Sequence, residues 1–369
     1  MMDLGKYVNR ERLVSRFVEL VKISSLSGEE EEISRYLADE FGKLSCKVTR
    51  ETCGNIIAHY PAAGRSGTIM FCAHMDTVGK EHEIRPIIED DIIRTDGSTI
   101  LGADDKSGLA VMFEMLEILN EHPGIEHPEL EMVSTISEEK GLIGAKKMDK
   151  NLLRADWGVV LDTGGPTGKV LLSQPYSRII TYTFHGRASH AAGAPEKGIN
   201  AIKAAAAGIA KSPCGKVEDD AVIGIGTIHG GIATNVVPDK VVVETMVRSP
   251  EFEKVLYWAG AMESAMLEGC AETGSELTVD FYDSYPGYRL PEDHHLIKKM
   301  EEACKRCGIE IDKVPGLGGS DANIFNNAGI PCIVTSSGDI GAHMKSEHIT
   351  IADMVKSVEL HLTLATDDF

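Results

Sequence analysis

No stretch of this sequence approaches the roughly 18 uninterrupted apolar residues that a membrane-crossing helix needs. Its start, MMDLGKYVNRERLVSRFVELVKISSLSGEE, also lacks an apolar run of signal-peptide length and carries charges throughout. The expected location is therefore the cytoplasm, with no membrane partner. Positive charge is scarce: 37 Lys and Arg against 57 Asp and Glu give a formal net charge of −20. A surface of that sign repels nucleic acid and anionic lipid, so neither is an expected partner. Low-complexity tracts are missing, and 43% hydrophobic with 25% charged residues is an ordinary globular composition. The eight cysteines are scattered, as reduced core cysteines usually are. Cys304 and Cys307 form one CxxC on a helical pattern, with no second pair to complete a tetrahedral thiolate site. An H-E-x-x-H motif is absent, which excludes a mononuclear zincin as a motif match.

What is present is length for two cores, at 369 residues, and a patterned alternation of elements. The apolar residues Leu13, Phe17, Val18, Leu20 and Val21 recur at helical spacing. Ser27 and Glu30 of "SGEE" read as a capping box opening a helix through about Leu44. The runs "GTIMFCAHMD", "LEMVSTISEE", "WGVVLDTGG" and "IPCIVTSSG" suit strands buried on both faces, with helical patterns between them. That alternation predicts an α/β fold, a mixed central sheet covered by helices. Residues 175–283 change rhythm, to β-α-β-β-α-β, which is a ferredoxin-like α+β order. The expected organisation is one domain from residues 1–174 and 284–369, interrupted by a smaller domain at 175–283.

In open α/β sheets, ligands bind beyond the carboxyl ends of strands. Those ends carry His74 and Asp76, Glu138 and Glu139, Asp162, and, a few residues past the last run, His343. Asp104 and Asp105 follow "STILGA" at the start of a helix. Each has a bland reading: helix-capping acids, a core histidine, a turn aspartate, a surface loop histidine. Gathered by one sheet, however, so many acids would be costly without a cation to neutralise them. Histidine plus carboxylates suits zinc, cobalt or manganese.

The blocks "AHMDTV", "GADDKSG", "SEEKGLIGAK", "LDTGG" and "GAHMKSEH" resemble, in order, the five motif blocks of a dinuclear-zinc hydrolase family. That family contains peptidase T, carboxypeptidase G and aminoacylase, and the inserted "GRASHAAGAPEKGINAI" fits it as well. The resemblance spans nearly the whole chain. It implies that His74, Asp104 and Asp162 hold one zinc and that Asp104, Glu139 and His343 hold the other. A cis peptide follows the family's bridging aspartate. Glu138 resembles the general base acting on a metal-bridged hydroxide, and Asp76 the acid that orients the ligand histidine. His190 resembles a residue that reaches into a partner subunit's site, implying a homodimer through a lid domain. Asn235 and Arg248 resemble residues binding polar groups of the substrate.

Aspartate at 162 goes, in the family pattern, with the aminopeptidase branch, and the chain looks most like a compact peptidase T-like form. The expected activity is di-zinc hydrolysis of small peptides by an aminopeptidase or tripeptidase. The alternative is an amidohydrolase or carboxypeptidase acting on N-acyl amino acids or dipeptides. A non-catalytic metal-binding protein of the same fold ranks below both, because it is expected to lack the base found at Glu138.

Overall fold

The computed structural model describes residues 4–367, which form two compact units. Among them the first comprises residues 4–172, 290–315 and 320–367, and the second residues 173–289 and 316–319. The second unit is wider than the 175–283 expected from the rhythm of the sequence. Tyr285 still pairs with Ser177, and Tyr288 with Gln174. Gly319 lies so close to the Tyr285 ring that a Cβ there would sit 2.5 Å from it.

The first unit is built on a mixed sheet whose strands run, in spatial order, Lys47–Arg50, Ile56–Tyr60, His127–Thr135, Gly64–His74, Trp157–Val160, Cys332–Thr335 and Lys169–Gln174. Gly64–His74 pairs in parallel with both His127–Thr135 and Trp157–Val160, and Cys332–Thr335 continues the parallel set. The outer strands Ile56–Tyr60 and Lys169–Gln174 join antiparallel. Six consecutive residues, Ile69 to His74, are buried; alternate side chains on a strand face opposite ways, so both faces of the sheet are covered. The helix Ala103–Glu121 packs on strand Gly64–His74 and on the helices Arg10–Lys22 and Ile351–Thr366. Because the core strands are parallel, their carboxyl ends at His74, Thr135, Val160 and Thr335 share one edge of the sheet. A small sheet of Ile87–Glu89, Ile92–Arg94, Asp339–Ile340 and His348–Thr350 accompanies it.

The capping box expected at Ser27 and Glu30 does not form. The helix runs Glu31–Lys43 with Glu30 itself at the cap position and no side-chain cap. Both side chains have tertiary partners instead: Ser27 Oγ donates to Asp76, and Glu30 accepts from Ser137. Local capping lost to bonds with residues far along the chain.

The second unit is an antiparallel sheet in the spatial order Gly215–Glu218, Ala221–Gly230, Lys240–Ser249, Tyr176–His185 and Glu276–Tyr285. The helices Ala201–Lys211 and Phe252–Thr273 pack on it and on each other. Leaving aside the short edge strand Gly215–Glu218, which the pattern did not signal, this is the ferredoxin-like arrangement. Its core of Ile180, Tyr182, Phe184, Val241, Val243 and Met266 lies between sheet and helices.

Candidate metal centre

His74 is the last residue of its strand and is buried at 1% exposure. Its Nδ1 lies 2.9 Å from the main-chain oxygen of Asp76, an acceptor, so Nδ1 carries a proton, and the neutral ring presents a lone pair at Nε2. The expected partner of this ring was the Asp76 carboxylate, which stands farther off, at 3.4 Å. That carboxylate is occupied elsewhere, accepting from Ser27 Oγ at 2.7 Å and from the N–H groups of Glu138 at 2.9 Å and Glu139 at 3.3 Å.

Asp104 stands between two imidazoles. Its Oδ1 is 3.1 Å from His74 Nε2 and its Oδ2 is 3.3 Å from His343 Nε2. His343 Nε2 also lies 2.6 Å from Glu139 Oε1. Donor atoms of His74, Asp104 and Glu139 lie within 4.8 Å of one another, as do those of His74, Glu138 and Asp162. Six of the side chains expected at the site, His74, Asp104, Glu138, Glu139, Asp162 and His343, thus converge within the first unit. The Asp104–Asp105 peptide is cis, and both residues have non-helical dihedrals at the head of their helix. Asp105 faces the other way: its Oδ2 accepts from His74 N at 3.2 Å and its Oδ1 from Gly108 N at 3.2 Å. It therefore caps its helix and at the same time steadies the backbone of His74.

The electrostatics are those of an acid-rich pocket. Burial raises the proton affinity of Glu138 well above the usual carboxyl range, and the neighbouring charge of Asp162 adds to it. Asp162 is likewise pushed well up by burial, with Asp104 and Asp105 reinforcing the shift against the opposing pull of His74. Hydrogen bonds to Asp104 and Glu139 raise His343 to about 10. Burial opposes the imidazolium of His74, yet the carboxylates of Asp104, 3.1 Å from Nε2, and Asp76, 3.4 Å from Nδ1, hold its proton affinity well above normal. Imidazoles and carboxylates here compete for protons because positive charge is short. The donor set, two imidazole nitrogens and several carboxylate oxygens without a thiolate, fits hard or borderline divalent cations.

Other residues shape the site without having been singled out in the sequence. Glu347, 1% exposed, accepts from the N–H groups of Leu101 and Gly102 at 2.7 Å each and of Asp104 at 3.1 Å. It belongs to the block "GAHMKSEH", where only the histidine drew notice. Asp321, fully enclosed, accepts from Thr135 Oγ1, and burial raises its carboxyl to about 6. Asp339 is raised to about 8 by burial and by the charge of Asp104. Asp321 and Asp339 stood outside every quoted motif; only the glycine pair before Ser320 and Asp321 could have hinted at a special loop.

His190, Asn235 and Arg248 belong to the second unit. His190 is exposed, and its Nδ1 accepts from Ala192 N at 3.2 Å and Gly193 N at 3.0 Å. The neutral ring therefore carries its proton on Nε2, as a donor. Asn235 is exposed, its carbonyl accepting from Ala191 N at 2.9 Å. The Arg248 guanidinium lies over the Tyr285 ring at 5.8 Å.

Comparison with known proteins agrees with this architecture. The chain is 35% identical over 361 residues to the uncharacterized protein YqjE of Bacillus subtilis, covering 96% of this chain and 97% of that one. It resembles the crystal structure of aminopeptidase PepT from Bacillus cereus with a TM-score of 0.89 and 35% identity, covering 98% of this chain and 99% of that one. A tripeptidase from Staphylococcus aureus superposes with a TM-score of 0.93 at 31% identity, over 98% of each chain. Residues 70–367 match the model of peptidase family M20/M25/M40, and the chain belongs to that family.

Proposed function

We propose that this peptidase is a metal-dependent exopeptidase that removes N-terminal residues from small peptides, in the manner of an aminopeptidase or tripeptidase. The observation that carries the reading is the placement of Asp104, one oxygen toward His74 and the other toward His343, with Glu139 and Asp162 alongside. Two divalent cations, zinc or in its place cobalt or manganese, would be held by His74, Asp104 and Asp162 and by Asp104, Glu139 and His343. Such cations supply Lewis-acid polarisation of the scissile carbonyl and acidify a water molecule.

The chain's own residues do the rest. Glu138 is buried beside the donor cluster, so its carboxylate can take a proton from the attacking water and deliver it to the leaving amine. Asp76 holds the N–H groups of Glu138 and Glu139, setting base and ligand in one register. His190, with its donor on Nε2, Asn235 and Arg248 are proposed to engage polar groups of the substrate, His190 from the partner copy of a homodimer. The likeness to the B. cereus aminopeptidase and the S. aureus tripeptidase supports peptides as the substrate class. No helix among the described residues is long and apolar enough to cross a membrane, and a cytoplasmic location is proposed.

The test is hydrolysis by zinc- or cobalt-loaded protein of di- and tripeptides, their N-acetylated twins and N-acyl amino acids. Cleavage of free-amine peptides with the acetylated twins inert is expected. Preference for the acylated compounds would replace the aminopeptidase by an amidohydrolase. Glu138→Ala is expected to keep its metal while losing about 10²–10⁴-fold in turnover. Retained turnover in the loaded variant would remove Glu138 as the base. A monomer in light scattering at working concentration would remove the role of His190 across the dimer.

A further inference from the structure

The side chains that failed to form a capping box converge on the backbone of the site. Residues 23–30 follow the first long helix and run beside the end of strand Gly64–His74. Leu26 bridges Thr77 in parallel, Thr77 N donates to Ser25 O at 2.9 Å, and Ser27 N donates to Thr77 O at 3.3 Å. Two lysines fasten this segment: fully buried Lys106 donates from Nζ to Ile23 O at 2.7 Å, and Lys140 donates to Ser27 O.

Within it, Glu30 is 5% exposed. A single oxygen, Oε1, accepts from Gly28 N at 2.7 Å, Ser137 N at 2.9 Å and Ser137 Oγ at 2.7 Å. Ser137 holds a left-handed conformation, φ 48° and ψ 41°, which costs a residue with a Cβ on the order of 1 kcal/mol and needs fixed partners to persist. The next residues are Glu138 and Glu139, whose N–H groups go to Asp76. Two carboxylates, Glu30 and Asp76, therefore take three successive backbone N–H groups, those of residues 137, 138 and 139. Ser27 Oγ, bonded to Asp76 Oδ2, ties the segment of Glu30 to the second carboxylate.

We propose that Glu30, assisted by Ser27, is a positioning residue for catalysis: it locks the left-handed turn at Ser137 that aims Glu138 and Glu139. This rests on the roles given above to those two glutamates. Were Glu30 only a structural tie, its loss would lower stability and leave turnover per folded chain unchanged. As a positioning residue, it acts on the placement of the base, where a displacement of about 1 Å costs about 10²-fold in rate.

The experiment measures kcat, KM and bound zinc per chain for the full-length wild type, Glu30→Ala, Glu30→Gln and Ser27→Ala, using a tripeptide as substrate. The visible spectrum of the cobalt-loaded forms is recorded alongside. Glu30→Ala is expected to lose about 10²-fold in kcat with KM within about twofold and the metal content kept. Glu30→Gln retains an acceptor oxygen of the same reach and is expected to recover at least about tenfold of that loss. Ser27→Ala removes one hydroxyl, leaves Glu30 in place, and is expected to cost about tenfold in kcat; it carries the test if Glu30→Ala does not fold. Unchanged kcat per metal-loaded chain in Glu30→Ala, or in Ser27→Ala where that variant carries the test, overturns the proposal. Failure of the base assignment reads out separately, as undiminished turnover in Glu138→Ala whatever the Glu30 variants do.

Discussion

His361 lies fully buried in the helix Ile351–Thr366, its Nδ1 donating to Ser357 O at 2.7 Å and its Nε2 accepting from Thr335 Oγ1 at 2.9 Å. Burial lowers its pKa from 6.5 to about 4. Between those values the unfolded chain binds a proton that the folded chain refuses, so stability falls as pH drops through that window. The loss amounts to on the order of 3 kcal/mol from this one residue. Urea unfolding of wild type and His361→Gln at pH 7 and pH 4.5 tests this; the variant is expected to show a distinctly shallower loss, and an equal loss counts against it. At this scale, the sequence marked the acids and histidines at strand ends because residue type carries chemistry. It did not reveal that Glu30 and Glu347 serve backbone N–H groups, because which donors a glutamate meets depends on segments about a hundred or more residues away. The doublet at 104–105 resolves similarly: one carboxylate faces the imidazoles, and its neighbour holds the backbone of His74 and the start of a helix.

In the second unit the helices Ala201–Lys211 and Phe252–Thr273 touch backbone to backbone. A Cβ on Gly269 would sit 2.5 Å from Ala204 O and 2.5 Å from Gly208 N. Gly269→Ala must push the helices apart and is expected to cost about 1–3 kcal/mol, seen as a lowered melting temperature. Gly260, on the same longer helix, has nothing within 4 Å of its added Cβ. Gly260→Ala is therefore expected to stabilise by up to about 1 kcal/mol through helix propensity, and a loss there would contradict the packing. The central strands and long helices were legible because continuous apolar runs and a 3.6-residue period follow from which faces are buried. The edge strand Gly215–Glu218 was not, because it is short and largely exposed and so leaves little apolar pattern.

Over the whole molecule, the net charge of −20 coincides with a core site in which burial pushes Asp105, Glu138 and Asp162 toward protonation. A bound cation relieves that repulsion in the native state and has no comparable site in the unfolded chain. Chelator-treated protein is therefore expected to melt lower and to recover on adding zinc, by about 2.7 kcal/mol at a hundredfold excess over Kd. An unmoved melting curve across that titration would argue against a metal at these residues. By itself, the sequence determined the chemistry on offer, the alternation of strand and helix, and the order of the acidic and histidine blocks, all of which are properties of residue type and local period. Only the tertiary structure decided that Asp104 lies between two imidazoles, that Asp76 serves backbone more than imidazole, and that Ser27 and Glu30 leave helix capping to hold the turn before Glu138. The physical reason is that a hydrogen bond is short and directional, so its partner is chosen by where the sheet brings remote segments together.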